Sequence, residues 1–153
     1  MSASEALAVP ALGHGAANVG NLFRPLSDDE SWAILEAAWD SGIRYYDTAP
    51  HYGLGLSERR LGAFLQTKPR EEYVLSTKVG RLLRPNPDHD GGLDTANDFH
   101  VPDDLQRVWD FSDDGIRAGL DESRERLGIE QIDLVYLHDP ERHDLDLALA
   151  EAL

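Results

Sequence analysis

Cysteine is absent from the 153-residue chain. That excludes disulfides, thiolate metal sites and cysteine nucleophiles, and it fits a reducing compartment. A cytoplasmic location is therefore expected. Lysine is nearly absent as well, Lys68 and Lys78 being the only two. With 14 basic residues against 29 acidic ones, the formal net charge is −15. Nucleic-acid binding needs clustered cations that displace phosphate counterions, so no nucleic-acid partner is expected. The acidity reads as a solvated surface. No apolar run approaches the roughly 18 residues of a membrane span, and the stretch Met1 to Pro10 lacks the basic region of a secretory signal. No membrane partner is expected either. Hydrophobic residues make up 41 % of the chain, a globular share in a length of about one domain.

Four short apolar runs alternate with helical patterns. The runs are Pro10 to Gly15, Ile43 to Asp47, Tyr73 to Lys78 and Ile132 to His138. The last two, β-branched and aromatic, suit buried parallel strands. Ser27 with Glu30 forms a capping-box pattern, and Trp32, Leu35 and Trp39 then fall on one helical face. Ser41-Gly42 stops that helix, since glycine accepts the left-handed terminal conformation. A second helix opens at Ser57, carries Leu61, Phe64 and Leu65, and ends before Pro69. A third opens at Ser112, with Asp113 and Asp114 suited to the positive end of its dipole. Ile116, Leu120 and Leu127 are its expected apolar stripe, and Glu122 with Arg126 forms an i, i+4 pair. Gly128 ends it. A fourth helix is expected from about Asp146.

Alternating β and α elements imply a parallel sheet with right-handed crossovers. This leaves a doubly wound sheet or a barrel. No Gly-x-Gly-x-x-Gly follows the first strand, which disfavours the nucleotide-binding open sheet. A complete (β/α)8 barrel takes about 250 residues. Four βα units in 153 residues read as a single half-barrel domain, residues 1–153, whose first and fourth strands are open edges with a capacity for self-association. Residues from about 82 to 111 are rich in Pro, Asp and Gly, show little periodicity, and are expected to be a long loop.

The polar residues at the strand ends are the candidates for chemistry. Asp47, Lys78 and His138 end the second, third and fourth runs, and Tyr52 lies five positions after Asp47. Active sites of parallel α/β folds collect at the C-terminal ends of strands. Taken singly, each residue has an ordinary explanation: an aspartate cap, a snorkelling lysine, a core histidine, a packing tyrosine. Four together require four coincidences. A metal hydrolase using His51, His138 and His143 is a competing reading, but no H-x-H or H-E-x-x-H spacing occurs. No metal is expected.

Gly42 to Gly53 resembles the aldo-keto reductase signature G-x-x-x-x-D-T-A-x-x-Y-G, and Ser57-Glu58 resembles its continuation. Ser76-Thr77-Lys78 is similar to the strand that carries the family's lysine. Leu120 to His138 is similar to its L-x-x-S-L-x-x-L-x-x-x-x-x-D-L-x-x-x-H block, with Arg124 standing where the family usually has leucine. The resemblance covers about residues 10 to 153. Residues 101 to 114 and His138-Asp139-Pro140 are similar to the family's aldose dehydrogenase branch.

The resemblance implies a (β/α)8 TIM barrel and an NAD(P)-dependent enzyme interconverting a carbonyl and an alcohol. Its expected substrate is a small sugar or aldehyde, with L-fucose as an example. It implies Tyr52 as general acid or base, Lys78 as the neighbouring cation, Asp47 as the partner that holds Lys78, and His138 as the group that orients the carbonyl. Gly15 and Ala16 match positions near the nicotinamide, and Asp47 also a ribose contact; Gly15 has a second reading as a turn glycine. The family's carboxamide pair, stacking aromatic and phosphate-binding cations lie on later strands. The chain by itself is therefore expected to bind NAD(P) weakly or not at all. The alternative is an inactive half-barrel or a regulatory, partner-binding relative.

Overall fold

The computed structural model describes residues 7–143 together with Asp146 and Ala150. The fourth helix expected from about Asp146 falls largely outside these residues. Within them, the strands are β1 (His14–Gly15), β2 (Tyr45–Asp47), β3 (Val74–Val79), β4 (Arg81–Pro85), β5 (Leu105–Trp109) and β6 (Leu134–Leu137). The α-helices are α1 (Asp28–Asp40), α2 (Leu56–Leu65) and α3 (Asp113–Leu127). Strands β1, β2, β3 and β6 form one parallel sheet in that order. Consecutive βα units lie side by side, as in a barrel wall; a doubly wound sheet would reverse direction at a switch point. None of the described helices is long and apolar enough to cross a membrane.

The helices form where their caps place them. Glu30 N–H donates to the Ser27 side chain at 3.1 Å, and Ser27 N–H donates to the Glu30 carboxylate at 2.8 Å, which is the reciprocal capping box. Ser112 accepts from Gly115 N–H at the start of α3, and Gly128 ends that helix in the left-handed conformation. One core sits between helices and sheet, built from Leu35, Leu61, Phe64, Leu65 and Leu127 against Tyr46 and Leu75. Of the expected α1 face, Leu35 is fully buried, whereas Trp32 stays partly exposed and meets Phe64 edge-on.

Alternation along the strands follows from this core. Tyr46 and Leu75 point to the helices, so Tyr45, Asp47, Ser76 and Lys78 point to the other face, the inside of the wall.

Three expectations need correction. The first strand is only two residues long, not Pro10 to Gly15. Pro10 offers no N–H to a ladder, and Leu12 is exposed. The stripe of α3 is rotated: Gly115, Gly119, Ser123 and Leu127 are buried, while Ile116 and Leu120 are half-buried. Small residues at a spacing of four let α3 approach the sheet closely. The segment 82–111 is not a structureless loop. Leu82 to Pro85 and Leu105 to Trp109 belong to an antiparallel pair, β4 with β5. Leu54, Leu83, Phe99 and Val101 form a second apolar cluster there, with Tyr52 packed against it.

Candidate active site

Parallel register places the polar side chains. Asp47 is opposite Ser76 in the β2–β3 ladder, and Lys78 is two residues further along the same face. Lys78 Nζ donates to Asp47 Oδ2 at 2.6 Å and to the Thr48 carbonyl at 3.1 Å. Ser76 Oγ donates to the other carboxylate oxygen, Oδ1, at 2.6 Å. Lysine and carboxylate are both largely screened from solvent, so the pair is worth more than an exposed one.

Tyr52 reaches the cluster from the β2–α2 loop. Its ring lies 4.7 Å from Lys78 Nζ. The loop is held by close backbone packing: Gly53 has φ of 61°, and a Cβ there would meet the Gly20 carbonyl at 2.1 Å. Only glycine fits both demands. Behind the loop, Thr48 and Ser57 hydroxyls meet at 2.9 Å, and Ser57 donates to the Ala16 carbonyl at 2.7 Å. Residues of the D-T-A and S-E portions of the motif therefore form one hydrogen-bonded unit.

His138 follows β6 and is buried, its N–H donating to Val79 O at 2.9 Å. Its ring stands edge-on to Tyr52 at 5.9 Å and to His51 at 5.3 Å. Burial, aided by Arg81, Lys78 and further arginines, pushes the His138 imidazolium pKa down to about 3. Burial, with Arg107 and Arg81, does the same to His51, also to about 3. Both imidazoles are neutral at neutral pH. The Nδ1 atoms of both are buried without a hydrogen-bond partner among the described residues. A neutral imidazole has one donor and one acceptor nitrogen to offer a ligand.

All four expected catalytic residues, Asp47, Tyr52, Lys78 and His138, thus stand in one cluster at the strand ends. Gly15 lies with His14, Tyr45, Asp47, Lys78 and Tyr136 around an open cleft of about 470 Å³, and a Cβ at Gly15 would meet nothing within 4 Å. Ala16, by contrast, is fully buried in the core, its N–H on the Asp47 carbonyl and its own carbonyl on Ser57. His143 stacks on Trp109, while His51 pairs with His138. Among the described residues, no group of three His, Cys, Asp or Glu side chains is placed to hold a metal ion.

Sequence reasoning passed over several residues. Ser76 stood in the motif strand, and its period-two relation to Lys78 was the available signal. Phe99, Arg81 and Arg107 come from the hairpin region; Arg107 donates to the His51 carbonyl at 2.8 Å and pairs with Asp94. Arg81 pairs with Asp139, next to His138. Glu58 is fully buried, accepting from Thr77 Oγ1 at 2.8 Å and from Arg126.

Fold and site define a barrel-wall α/β protein with a Tyr-Lys-Asp-His cluster at its C-terminal strand ends. The chain belongs to the aldo/keto reductase family, whose model matches residues 11–153. It is 77 % identical over 152 residues to a D-threo-aldose 1-dehydrogenase of Pseudomonas sp, an alignment covering 99 % of this chain and 46 % of that protein. It is 45 % identical to a pyridoxal 4-dehydrogenase of Microbacterium luteolum, covering 87 % of this chain and 40 % of that one. The holo form of an aldo-keto reductase from Bacillus halodurans superposes with a TM-score of 0.65 at 26 % identity, covering 92 % of this chain and 40 % of that chain. The chain therefore spans less than half the length of these relatives and corresponds to part of a (β/α)8 barrel.

Proposed function

We propose that this chain supplies the acid–base half of an NAD(P)-dependent aldose dehydrogenase, which oxidises the carbon-1 hydroxyl of a small sugar such as L-fucose. The observation that carries the reading is the Asp47–Lys78–Tyr52–His138 cluster at strand ends, beside an open cleft at Gly15. The similarity to a D-threo-aldose 1-dehydrogenase supports the substrate class.

Bound NAD(P)+ supplies a hydride acceptor. The protein's own residues do the rest by position and charge. Tyr52 takes the proton of the carbon-1 hydroxyl as the carbon–hydrogen bond breaks; in the reverse direction it returns that proton to the carbonyl oxygen. The Lys78 ammonium, held by Asp47 Oδ2 and the Thr48 carbonyl, stays beside the tyrosine ring and favours negative charge there. Neutral His138 presents a ring nitrogen to the same oxygen and fixes its direction. Gly15, with no side chain, and Asp47 would hold the nicotinamide end of the cofactor at this cleft. The hairpin region backs Tyr52 through Phe99, whose ring lies 6.3 Å from the tyrosine ring.

The test is Tyr52→Phe in a full-length barrel that contains this chain, assayed with aldoses and NAD(P)+. Turnover is expected to fall at least about 100-fold, the usual size of a lost general acid–base, with cofactor affinity retained. Near-normal turnover in that variant, or an intact barrel that is inert with every aldose, overturns the proposal in favour of an inactive relative.

A further inference from the structure

The inner face of the sheet carries a row of hydroxyls that the proposed reaction does not use. Tyr136 Oη and Tyr45 Oη lie 3.1 Å apart, Tyr45 Oη and Ser76 Oγ lie 3.1 Å apart, and Ser76 Oγ lies 2.6 Å from Asp47 Oδ1. The directions of these bonds follow from one another. An ionised carboxylate only accepts, so Ser76 gives its single proton to Asp47. Ser76 must then accept from Tyr45. Tyr45 has now used its proton, so it must accept from Tyr136. Every proton points toward Asp47, and the hydroxyls come from three neighbouring strands, Tyr45 on β2, Ser76 on β3 and Tyr136 on β6.

We infer that Tyr136, Tyr45 and Ser76 form an oriented positioning chain that fixes the rotation of the Asp47 carboxylate, reserving Oδ2 for Lys78. A carboxylate bound on one oxygen can turn about its terminal bond, which is broad and two-fold. Binding Oδ1 from the opposite strand removes that freedom. Hydrogen bonds in a chain also polarise one another, so loss of a distant member reaches Asp47. Consistent with this, its bond to Tyr45 and the charge of Asp47 both act to raise the Tyr136 phenol pKa above the ordinary value. Ser76 does not line the cleft at Gly15, whereas Tyr45 and Tyr136 border it; the role assigned to all three is to position Asp47 rather than to take part in proton transfer. They act through Asp47 and Lys78, so the inference rests on the proposed role of that pair.

The experiment is a double-mutant cycle, read two ways in the full-length barrel. In kinetics, Ser76→Ala is expected to lower kcat about tenfold, the size of a lost hydrogen bond to a charged group, with KM changed less than about twofold. Ser76→Thr, which keeps the hydroxyl, is expected to recover most of the loss. Tyr45→Phe is expected to reduce kcat in the native background but to add nothing to Ser76→Ala, since the chain is already broken. Full activity in Ser76→Ala, or additive effects, overturns the inference. The second readout needs no turnover: the ring-carbon resonances of labelled Tyr45 and Tyr136 are recorded in the native protein, in Ser76→Ala and in Asp47→Asn. Both tyrosines are expected to shift in both variants. Unmoved resonances overturn the chain even if the tetrad is active, whereas shifted resonances in a barrel with an active Tyr52→Phe variant uphold the chain and sink the catalytic reading.

Discussion

Replacing Arg126 with methionine is expected to destabilise the fold severely, and removing its partners as well is expected to undo most of the damage. Glu58, on α2, is fully buried; Arg126, on α3, is mostly buried; and Thr77, on β3, donates to the same carboxylate. Arg126→Met keeps the apolar stem but leaves a buried carboxylate with one neutral donor. Breaking a buried pair in this way costs about 3–5 kcal/mol, a large part of a typical stability of about 5–15 kcal/mol. The triple variant Glu58→Leu, Thr77→Val, Arg126→Met removes the charge, its partner and the hydroxyl that would be orphaned. Well-packed apolar replacements of such groups are often neutral or stabilising. The assay is urea unfolding followed by fluorescence of Trp32, Trp39 and Trp109. With a slope of about 2 kcal/mol per molar urea, the single variant should lower the midpoint by roughly 2 M. The reasoning fails if Arg126→Met shifts the midpoint by less than about 0.5 M, or if the triple variant is as unstable as the single one.

Further outcomes follow from the packing and the imidazoles. A Cβ at Gly62 would meet the Leu127 carbonyl at 2.1 Å, so Gly62→Ala should lower the melting temperature. Its helix-propensity gain of about 1 kcal/mol is smaller than the cost of forcing α2 and α3 apart, about 1–3 kcal/mol or more. His51 and His138 titrate in the fold at about 3 against an ordinary 6.5. The unfolded chain therefore binds more protons between those values, and stability attributable to them is complete above pH 6.5 and declines as pH falls toward 3. Imidazole NMR should show both rings neutral at pH 5; titration of either near 6.5 refutes their burial as described. In the full-length barrel, an activity limb near pH 6.5 that disappears in His138→Asn would likewise contradict a neutral His138.

Much of the site was legible because its residues lie at strand ends, where sequence period and strand end coincide. Asp47, Lys78 and His138 each close an apolar run, and the D-T-A-x-x-Y-G spacing brings Tyr52 in from the adjoining loop. The hairpin was not legible, for a physical reason. Along β5 the half-buried positions are Leu105, Arg107 and Trp109 and the exposed ones Gln106 and Val108. An inward arginine and an outward valine erase the apolar alternation that marks a strand. Its inward Arg107 is satisfied by Asp94, thirteen residues away, and by the His51 carbonyl, neither visible in local pattern. The same limit hid Glu58, a buried charge whose partner Arg126 lies sixty-eight positions on. Locally, Arg126 reads as the partner of Glu122, and that contact exists at 3.8 Å, but the closer bond is to Glu58.

The buried ion pair and the proposed catalytic cluster are mechanically one arrangement. Side chains along a strand alternate, so a one-residue slip of β3 would turn Lys78 and Ser76 to the helices and Thr77 to the inner face. Thr77 is held on the helix side by its bond to Glu58, which Arg126 fixes from α3. Asp133 adds a second hold, accepting from Leu75 N–H at 2.8 Å while paired with Arg70. Leu75 and Thr77 are thus anchored on either side of Ser76, with Lys78 immediately after. Ser76 and Lys78 then have no choice but to face Asp47, whose register partner is Ser76 itself. Glu58 thereby reinforces, through Thr77, the face of β3 that the buried Leu75 and Val79 already turn toward the helices, which leaves Lys78 on the inner face.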